Sequence, residues 1–150
     1  MKKTKTANNI LVIHGPNLNM LGKREPEKYG SLSLEKINRN LKSQGKKLGL
    51  KVETFQSNQE GLIVEKIQKA MGTFSGLIIN PAAYTHTSVA IRDALLLLDM
   101  PVIEVHISNI YKRESFRHRS MMADVVTGQV SGLGPGGYGL ALAAMAEMVN

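Results

Sequence analysis

The sequence predicts an α/β fold, a three-layer sandwich in which helices cover both faces of a five-stranded parallel sheet. Short apolar runs alternate with longer segments whose apolar residues recur every three or four positions. These are the patterns of buried strands and of amphipathic helices. Strands that alternate with helices form right-handed βαβ units on a parallel sheet.

Five segments are predicted to be strands. The clearest of them, residues 10–13, is short, apolar and β-branched, the composition of a fully buried strand. The five ranges are 10–13, 52–55, 77–79, 102–107 and 125–130. Five parallel strands in a chain of this length predict the flavodoxin-like order 2-1-3-4-5, in which strands 1, 3 and 4 are neighbours.

Four helices are predicted between and after these strands. The fourth covers residues 140–148, and Gly49 and Gly72 are the predicted stops of the first and second. The predicted start signals are Ser33, a Ser57-to-Glu60 capping box, and Thr87 or Ser88. The predicted buried faces carry Leu34, Ile37, Leu41 and Leu48, then Ile63, Ile67, Ala70 and Met71, then Ile91, Ala94, Leu95 and Leu98.

Length and composition predict one globular domain covering residues 1–150, with residues 1–9 as a flexible tail. Cysteine is absent, which excludes disulfides and thiolate metal sites and fits the cytoplasm. No apolar run approaches the roughly 20 residues that span a bilayer. Residues 10–13 are also too short for the core of a signal peptide. We therefore expect a cytoplasmic protein without a membrane partner.

The net charge of +7 has two interpretations. A basic patch would bind nucleic acid, whereas scattered basic residues give solubility and attract small anions. The basic residues are scattered, and aromatic residues make up only 5% of the chain, too few for base-stacking platforms. We expect a small-molecule partner and no nucleic acid.

Polar residues follow three of the predicted strands at the points where those strands end. Asn17 follows the first strand, Asn80 and His86 follow the third, and His106 ends the fourth. In open α/β sheets, ligands bind beyond the carboxyl ends of the strands. Because strands 1, 3 and 4 are neighbours in the predicted order, we expect these side chains to share one site.

Glu104 and His106 lie two residues apart on the fourth strand and therefore share a face. An unpaired charge in a strand buried on both faces is costly. The pair is either a structural hydrogen-bonded unit or an arrangement in which Glu104 orients His106 for proton transfer. Its place at the end of the strand, two residues before Ser108, favours the second interpretation.

The connection between the first strand and the first helix includes residues 15–30, whereas such connections usually have about 2–6 residues. Arg24 and Tyr29 lie in it between Gly22 and Gly30, which would allow a lid with hinges. A guanidinium beside Tyr29 would stabilise the phenolate and make it a general base. An ordinary Tyr–Arg contact on a surface loop is an equal alternative.

Three other features leave alternatives open. Residues 132–137 fit a GxGxxG pattern, but no second half of a βαβ unit follows. We therefore expect a tight turn and a helix start, whose amides could assist an anion. Asp93 faces either the site or solvent. The basic cluster after the fourth strand is either a solvated face or the source of an Arg that clamps a carboxylate; it comprises Arg113, Arg117, His118 and Arg119.

A metal site built from His14, His86, Glu104 and His106 is a further alternative. The spacing of these residues matches no zinc signature, and the chain has no HExxH helix. We therefore expect no metal.

The strings GPNLNMLGKREPEKYG, NPAAYTHTS, IEVHIS, FRHRS and GLGPGGYG occur in this order along the chain. Together they resemble the type II 3-dehydroquinate dehydratases, from about Ile10 to the C-terminus. One departure is Ala82, where many members have Gly. The resemblance implies a flavodoxin-like fold, a reaction without cofactor or metal, and a homododecamer built as a tetramer of trimers.

The resemblance also implies a reaction and a role for each matching residue. The reaction is the anti elimination of water from 3-dehydroquinate, through an enolate, to 3-dehydroshikimate in the shikimate pathway. Tyr29 would be the base at C2, Arg24 would keep Tyr29 ionised and stabilise the transition state, and His106 would protonate the departing C1 hydroxyl. Asn17 would bind a water beside the enolate oxygen, and Glu104 would orient His106. The implied substrate-binding residues are Asn80, His86, Asp93, Ile107, Ser108 and Arg117.

The main rival is a flavodoxin-like module that binds a flavin or a nucleotide. Such a module needs a phosphate-binding loop after the first strand and aromatic faces for the ring. Here that loop begins Gly15-Pro16-Asn17, without a run of Ser or Thr, and the sequence has no Trp. The sequence therefore favours the enzyme.

Overall fold

The computed structural model describes residues 8–23 and 32–150. Its five strands form one parallel sheet in the order β2-β1-β3-β4-β5, which confirms the predicted fold class and strand order. The strands are β1 (Asn8–His14), β2 (Leu50–Gln56), β3 (Gly76–Asn80), β4 (Val102–His106) and β5 (Gly128–Ser131). The helices of this part of the chain are α1 (Leu34–Lys47), α2 (Glu60–Ala70), α3 (Val89–Leu95) and α4 (Gly136–Val149). None of them is both long and apolar enough to cross a membrane.

The interior strand β1, which lies between β2 and β3, contributes to both hydrophobic cores of the molecule. Ile10 and Val12 pack into the core that the sheet forms with α1 and α4. Leu11 and Ile13 point the other way, into the core with α2 and α3. All four side chains are fully buried, and burying each contributes about 1.5–3 kcal/mol. The continuous apolar run of β1 thus holds a helical layer on each face.

Two of the predicted helix caps are confirmed and one is wrong. The Ser33 Oγ accepts from the Lys36 amide at 3.2 Å, and the Ser88 Oγ accepts from the Ile91 amide at 2.9 Å. Ser57 does not cap α2. Its Oγ accepts from the amide of Gln59, two residues further along the chain, at 2.9 Å and so closes a local turn. The helix begins only at Glu60.

Several predicted boundaries differ from the structure for local reasons. The fifth strand begins later than predicted, because the amides of Val125 and Val126 bond back to the Met122 carbonyl at 3.0 and 3.1 Å and cannot pair with β4. Met71 lies beyond the end of α2 and is half exposed, not on its buried face. Helix α4 begins at Gly136, earlier than residue 140, and this extra turn buries Tyr138.

The ends of β1 and β3 approach each other closely at Gly15. The Gly15 amide donates to the Asn80 carbonyl at 2.8 Å, and a Cβ on Gly15 would lie 2.4 Å from the Pro81 oxygen. Beside this contact, Ala82 has a φ of 53°, a left-handed conformation that costs an L-residue about 1–2 kcal/mol. The turn therefore contains backbone strain at the position where the resemblance expects Gly.

Ala82→Gly is expected to release this strain. A new glycine also costs about 0.5–1 kcal/mol in chain entropy, so the matched control is Ala83→Gly. Ala83 is the neighbouring residue, and it is exposed and has no positive φ. We expect the Ala82→Gly variant to be more stable than the Ala83→Gly variant by about 1–2 kcal/mol, measured by urea unfolding. Equal free energies of unfolding in the two variants would contradict the strain.

Candidate active site

A cavity of about 400 Å³ opens beside the carboxyl ends of β1, β3 and β4. This is the edge at which open α/β sheets bind ligands. Most of the site residues expected from the sequence line it: Asn17, Asn80, His86, His106, Ile107, Ser108 and Arg117. Residues that are distant in the sequence therefore share one cavity because their strands are neighbours.

Asn17 lies at the mouth of the cavity, directly after β1. Its φ of 69° is left-handed, a conformation that Asn adopts more readily than most residues. Its amide donates to the Asn58 Oδ1 at 3.0 Å, and its side chain does not cap the short helical turn Leu18–Met20. The backbone of Asn17 is thus fixed, and its exposed carboxamide makes no side-chain hydrogen bond to the described part of the chain.

Asn80 ends β3 and is almost fully buried. Its Oδ1 accepts from the amide of Ala82 at 3.0 Å, and its Nδ2 donates to the Tyr138 hydroxyl at 3.0 Å. An Asn amide has two N–H donors. Among residues 8–23 and 32–150, one N–H of Asn80 therefore has no partner, and this side chain lines the cavity.

His14 ends β1 and is fully buried behind the cavity. Its Nδ1 lies 2.9 Å from the Tyr138 hydroxyl, and its Nε2 lies 2.8 Å from the Asn38 Oδ1. Burial lowers the pKa of His14 from 6.5 to about 4, even though its hydrogen bond to Asn38 acts in the opposite direction. Burial likewise raises the pKa of Tyr138 far above its ordinary value. Both groups are neutral near pH 7.

Glu104 and His106 form the predicted pair on β4. The His106 Nε2 hydrogen-bonds to the Glu104 Oε2, and both side chains are buried. Because Nε2 is occupied by the carboxylate, Nδ1 is the ring nitrogen left for proton exchange with a ligand. A carboxylate that fixes a ring in this way selects its orientation and its tautomer.

The Glu104 carboxylate is surrounded by donors. Thr85 Oγ1 donates to Oε2 at 2.5 Å, Ser120 Oγ donates to the carboxylate at 2.9–3.0 Å, and Gln129 Nε2 donates to Oε1 at 2.8 Å. Burial by itself would raise the pKa of this carboxyl. Hydrogen bonds from His106, Thr85 and Gln129 and the charge of His106 outweigh burial, so the pKa of Glu104 lies below its ordinary value. Glu104 therefore remains a carboxylate beside His106.

His86 lines the cavity from the turn after β3. Its Nδ1 lies 2.8 Å from the carbonyl oxygen of Arg119. Since a carbonyl only accepts, Nδ1 carries the hydrogen, and in the neutral ring Nε2 is an acceptor. His86 is thus suited to accept a hydrogen bond from a ligand hydroxyl.

Arg113 and Arg117 also line the cavity and supply positive charge to it. The Arg117 Nε donates to both oxygens of Glu114 at 3.2 and 3.3 Å, and Arg113 lies 3.8 Å from the same carboxylate. In the described ranges, Arg117 uses only its Nε in side-chain hydrogen bonds. Its two terminal nitrogens can therefore bind a carboxylate with the planar fork of a guanidinium.

Asp93 and the glycine-rich turn of residues 132–137 do not line the cavity. Asp93 is exposed on α3 and does not line the cavity of its own chain. The amides of Gly132 and Gly134 donate to the carbonyls of His106 and Ile107 at 3.2 and 3.0 Å, so this turn fixes the end of β4 and does not offer those amides to an anion. Arg24 and Tyr29 lie outside the described residues.

The four residues of the metal alternative do not converge. His14 is engaged by Tyr138 and Asn38, and His86 by the Arg119 carbonyl. Within residues 8–23 and 32–150, no three His, Asp or Glu side chains are grouped so that they could hold a metal ion.

Four residues that shape the site were missed by the sequence analysis. Tyr138 joins His14 to Asn80, and Thr85, Ser120 and Gln129 surround Glu104. Thr85 could have been found from the sequence, because it lies next to the candidate residue His86. The other three are far from their partners in sequence, and only the folded chain brings them together.

The fold and the site define a flavodoxin-like α/β protein with a buried acid–base pair at the carboxyl edge of its sheet. Residues 8–146 match the model of the family described as dehydroquinase class II. The chain belongs to this family.

Curated relatives and solved structures agree with this assignment. The chain is 57% identical over 136 residues to the 3-dehydroquinate dehydratase of Acaryochloris marina, with 91% of each chain covered. It is 55% identical over 141 residues to that of Aliarcobacter butzleri, covering 94% of this chain and 86% of the relative. The type II dehydroquinase of Propionibacterium acnes superposes with a TM-score of 0.91 at 44% identity, covering 96% and 99% of the two chains.

The lowered pKa of His14 predicts a pH dependence of stability. Between its ordinary pKa of 6.5 and its folded value of about 4, the unfolded chain binds the proton more readily, so the free energy of unfolding falls as the pH falls. The loss approaches about 1.4 kcal/mol per pH unit. The free energy of unfolding, measured with urea at several pH values between 6.5 and 4.5, should fall less steeply with pH in His14→Gln than in the parent, by up to this amount. Equal pH dependences in the two proteins would mean that His14 titrates normally.

Proposed function

We propose that the cavity at the carboxyl edge of the sheet removes water from 3-dehydroquinate to give 3-dehydroshikimate. The reaction is an anti elimination through an enolate, and it requires no cofactor or metal. Membership in the dehydroquinase class II family and the 52–57% identity with relatives named 3-dehydroquinate dehydratase support this substrate. The observation that carries the proposal is the hydrogen-bonded Glu104–His106 pair, in which His106 lines the cavity and Glu104 is buried behind it.

His106 acts as the general acid in this scheme. It protonates the C1 hydroxyl as that group departs, so that water rather than hydroxide leaves. The carboxylate of Glu104, held ionised by its donors, orients the ring. Proton transfer by a positioned group of this kind contributes about 10²–10⁴-fold in rate.

Tyr29 and Arg24 provide the base in the proposal. The C3 ketone of the substrate acidifies the C2 proton, and the Tyr29 phenolate removes it while the Arg24 guanidinium keeps the phenolate ionised and stabilises the transition state. Asn17, whose exposed carboxamide lies at the mouth of the cavity, binds a water that donates to the enolate oxygen. Donors aimed at the developing charge in this way lower the barrier.

The remaining wall residues hold the substrate. Asn80 has an N–H left to donate, and His86 has an Nε2 left to accept. The substrate carboxylate binds the Ile107–Ser108 backbone, the Ser108 hydroxyl and the Arg117 guanidinium, with Arg113 adding to the local positive charge. These groups are complementary to a hydroxylated carboxylic acid.

Asp93 requires a second copy of the chain in this proposal. It is exposed on α3, outside the cavity of its own chain, so as a substrate ligand it must reach a neighbouring subunit's site. We propose a homododecamer built as a tetramer of trimers, as the family resemblance implies. The proposed setting is the cytoplasm, where the product enters the shikimate route to aromatic amino acids.

A turnover assay tests the reaction directly. The purified protein is treated with a chelator and given 3-dehydroquinate, and the ultraviolet absorbance of the conjugated enone product is followed. We expect turnover at catalytic protein concentrations, with kcat about 10²–10⁴-fold lower in His106→Ala and a similarly large loss in Tyr29→Phe. Both variants should keep the far-ultraviolet circular dichroism of the parent. A flat trace from the folded parent protein would reject the proposed reaction, and near-normal turnover in either variant would remove that residue from its role.

Arg117→Ala tests the carboxylate clamp. Charge-assisted hydrogen bonds contribute about 1.5–3 kcal/mol, so we expect KM to rise about 10- to 100-fold while kcat changes much less. Lys112→Ala is the matched control, because Lys112 is an exposed cation of the same segment that does not line the cavity. A KM in Arg117→Ala equal to that of the control would exclude Arg117 as the clamp.

A further inference from the structure

We propose that His14 and Tyr138 are positioning residues that aim the Asn80 amide at the substrate. Neither residue lines the cavity, and the elimination uses neither of them directly. Both are buried, and a continuous line of hydrogen bonds joins them to Asn80. The inference rests on the proposed function, because the aimed N–H is the one that Asn80 donates to a substrate oxygen.

The backbone of the turn after β3 sets the direction of this line. The Asn80 Oδ1 accepts from the amide of Ala82 at 3.0 Å. A flipped Asn80 side chain would place its NH₂ group against that amide, donor against donor. The Nδ2 of Asn80 must therefore face the Tyr138 oxygen, and Tyr138 accepts one of its two hydrogens at 3.0 Å.

The other end of the line gives the same direction. The Nε2 of His14 faces the Asn38 Oδ1 at 2.8 Å, an acceptor, so Nε2 carries the hydrogen of the neutral ring. Nδ1 is then bare and accepts from the Tyr138 hydroxyl at 2.9 Å. Because Tyr138 gives its only hydrogen to His14, its oxygen turns its lone pairs towards Asn80.

Neutral His14 is necessary for this polarity. A protonated ring would carry hydrogen on both nitrogens and would force the Tyr138 hydroxyl to turn its hydrogen towards the NH₂ group of Asn80. The ring is fully buried, which disfavours its charged form. The line therefore keeps one direction near neutral pH, and the second N–H of Asn80 keeps one aim.

The test is a double-mutant cycle between Tyr138 and Asn80. Tyr138→Phe removes the hydroxyl but leaves the ring that packs in the core, so the fold should persist. Loss of one neutral hydrogen bond corresponds to about a 3- to 10-fold decrease in kcat/KM. In the Asn80→Ala background, Tyr138→Phe should change kcat/KM less than 2-fold, because the group that it positions is absent. Asn80→Ser, which keeps an acceptor for the Ala82 amide, replaces Asn80→Ala if that variant does not fold.

Ser75→Ala is the matched control, since it also deletes a hydroxyl that donates a hydrogen bond, to Asn8 at 3.0 Å, but at the opposite edge of the sheet. We expect it to leave kcat/KM unchanged. An equal loss from Tyr138→Phe in both backgrounds would reveal a packing effect and overturn the inference, as would no loss in the parent background. An inactive parent protein would reject the proposed function, and with it this inference, whereas an active parent with an indifferent Tyr138→Phe would reject the inference alone.

Discussion

The buried negative charge of Glu104 is the constraint on which the rest of the site depends. A carboxylate in a parallel strand with helices on both faces is costly unless partners compensate for it. Here the compensation comes from separate segments of the chain: Thr85 from the turn after β3, Ser120 from the segment before β5, Gln129 from β5 itself and His106 from the end of β4. Each of these segments must be in place for the charge to be tolerated, so folding and the assembly of the acid–base pair are one event.

The strand order explains why these groups meet at a cavity. The chain moves from β1 outwards to β2 and then crosses to β3 on the other side, so the connections that follow β1 and β3 diverge and leave a crevice between them. Gly15 approaches Pro81 closely between the ends of these two strands, and the left-handed residues Asn17 and Ala82 follow on either side. The same crossing brings His14 and Asn80, which are paired in the register of β1 and β3, to the same Tyr138.

Much of this could be predicted from the sequence, and the failures have physical causes. Strand order follows from the alternation of apolar runs and helical patterns, and the cavity residues from their places at strand ends. Tyr138 and Gln129 could not be predicted, because their partners lie more than 20 residues away and no local pattern indicates which side chains will compensate a buried group. The predicted N-terminus of α2 was wrong because the Ser57 hydroxyl accepts a hydrogen bond from the Gln59 amide within a local turn instead of capping the helix. The edge strand β5 was misplaced because turn hydrogen bonds to Met122 competed with pairing to β4.

The two buried hydrogen-bond networks beside the cavity, Glu104–His106 and His14–Tyr138–Asn80, differ in charge and are therefore suited to different roles. The network on β4 is ionic and suited to moving a proton, whereas the network that links β1, β3 and α4 is neutral, since burial keeps both His14 and Tyr138 uncharged near pH 7. A neutral network can aim a dipole but cannot act as a strong base. Elimination needs a base as well as an acid, and the wall described here contributes one ionic acid–base pair. The proposed reaction takes its base from another segment of the chain. The proposal assigns this role to Tyr29, which lies in the sequence between Lys23 and Leu32.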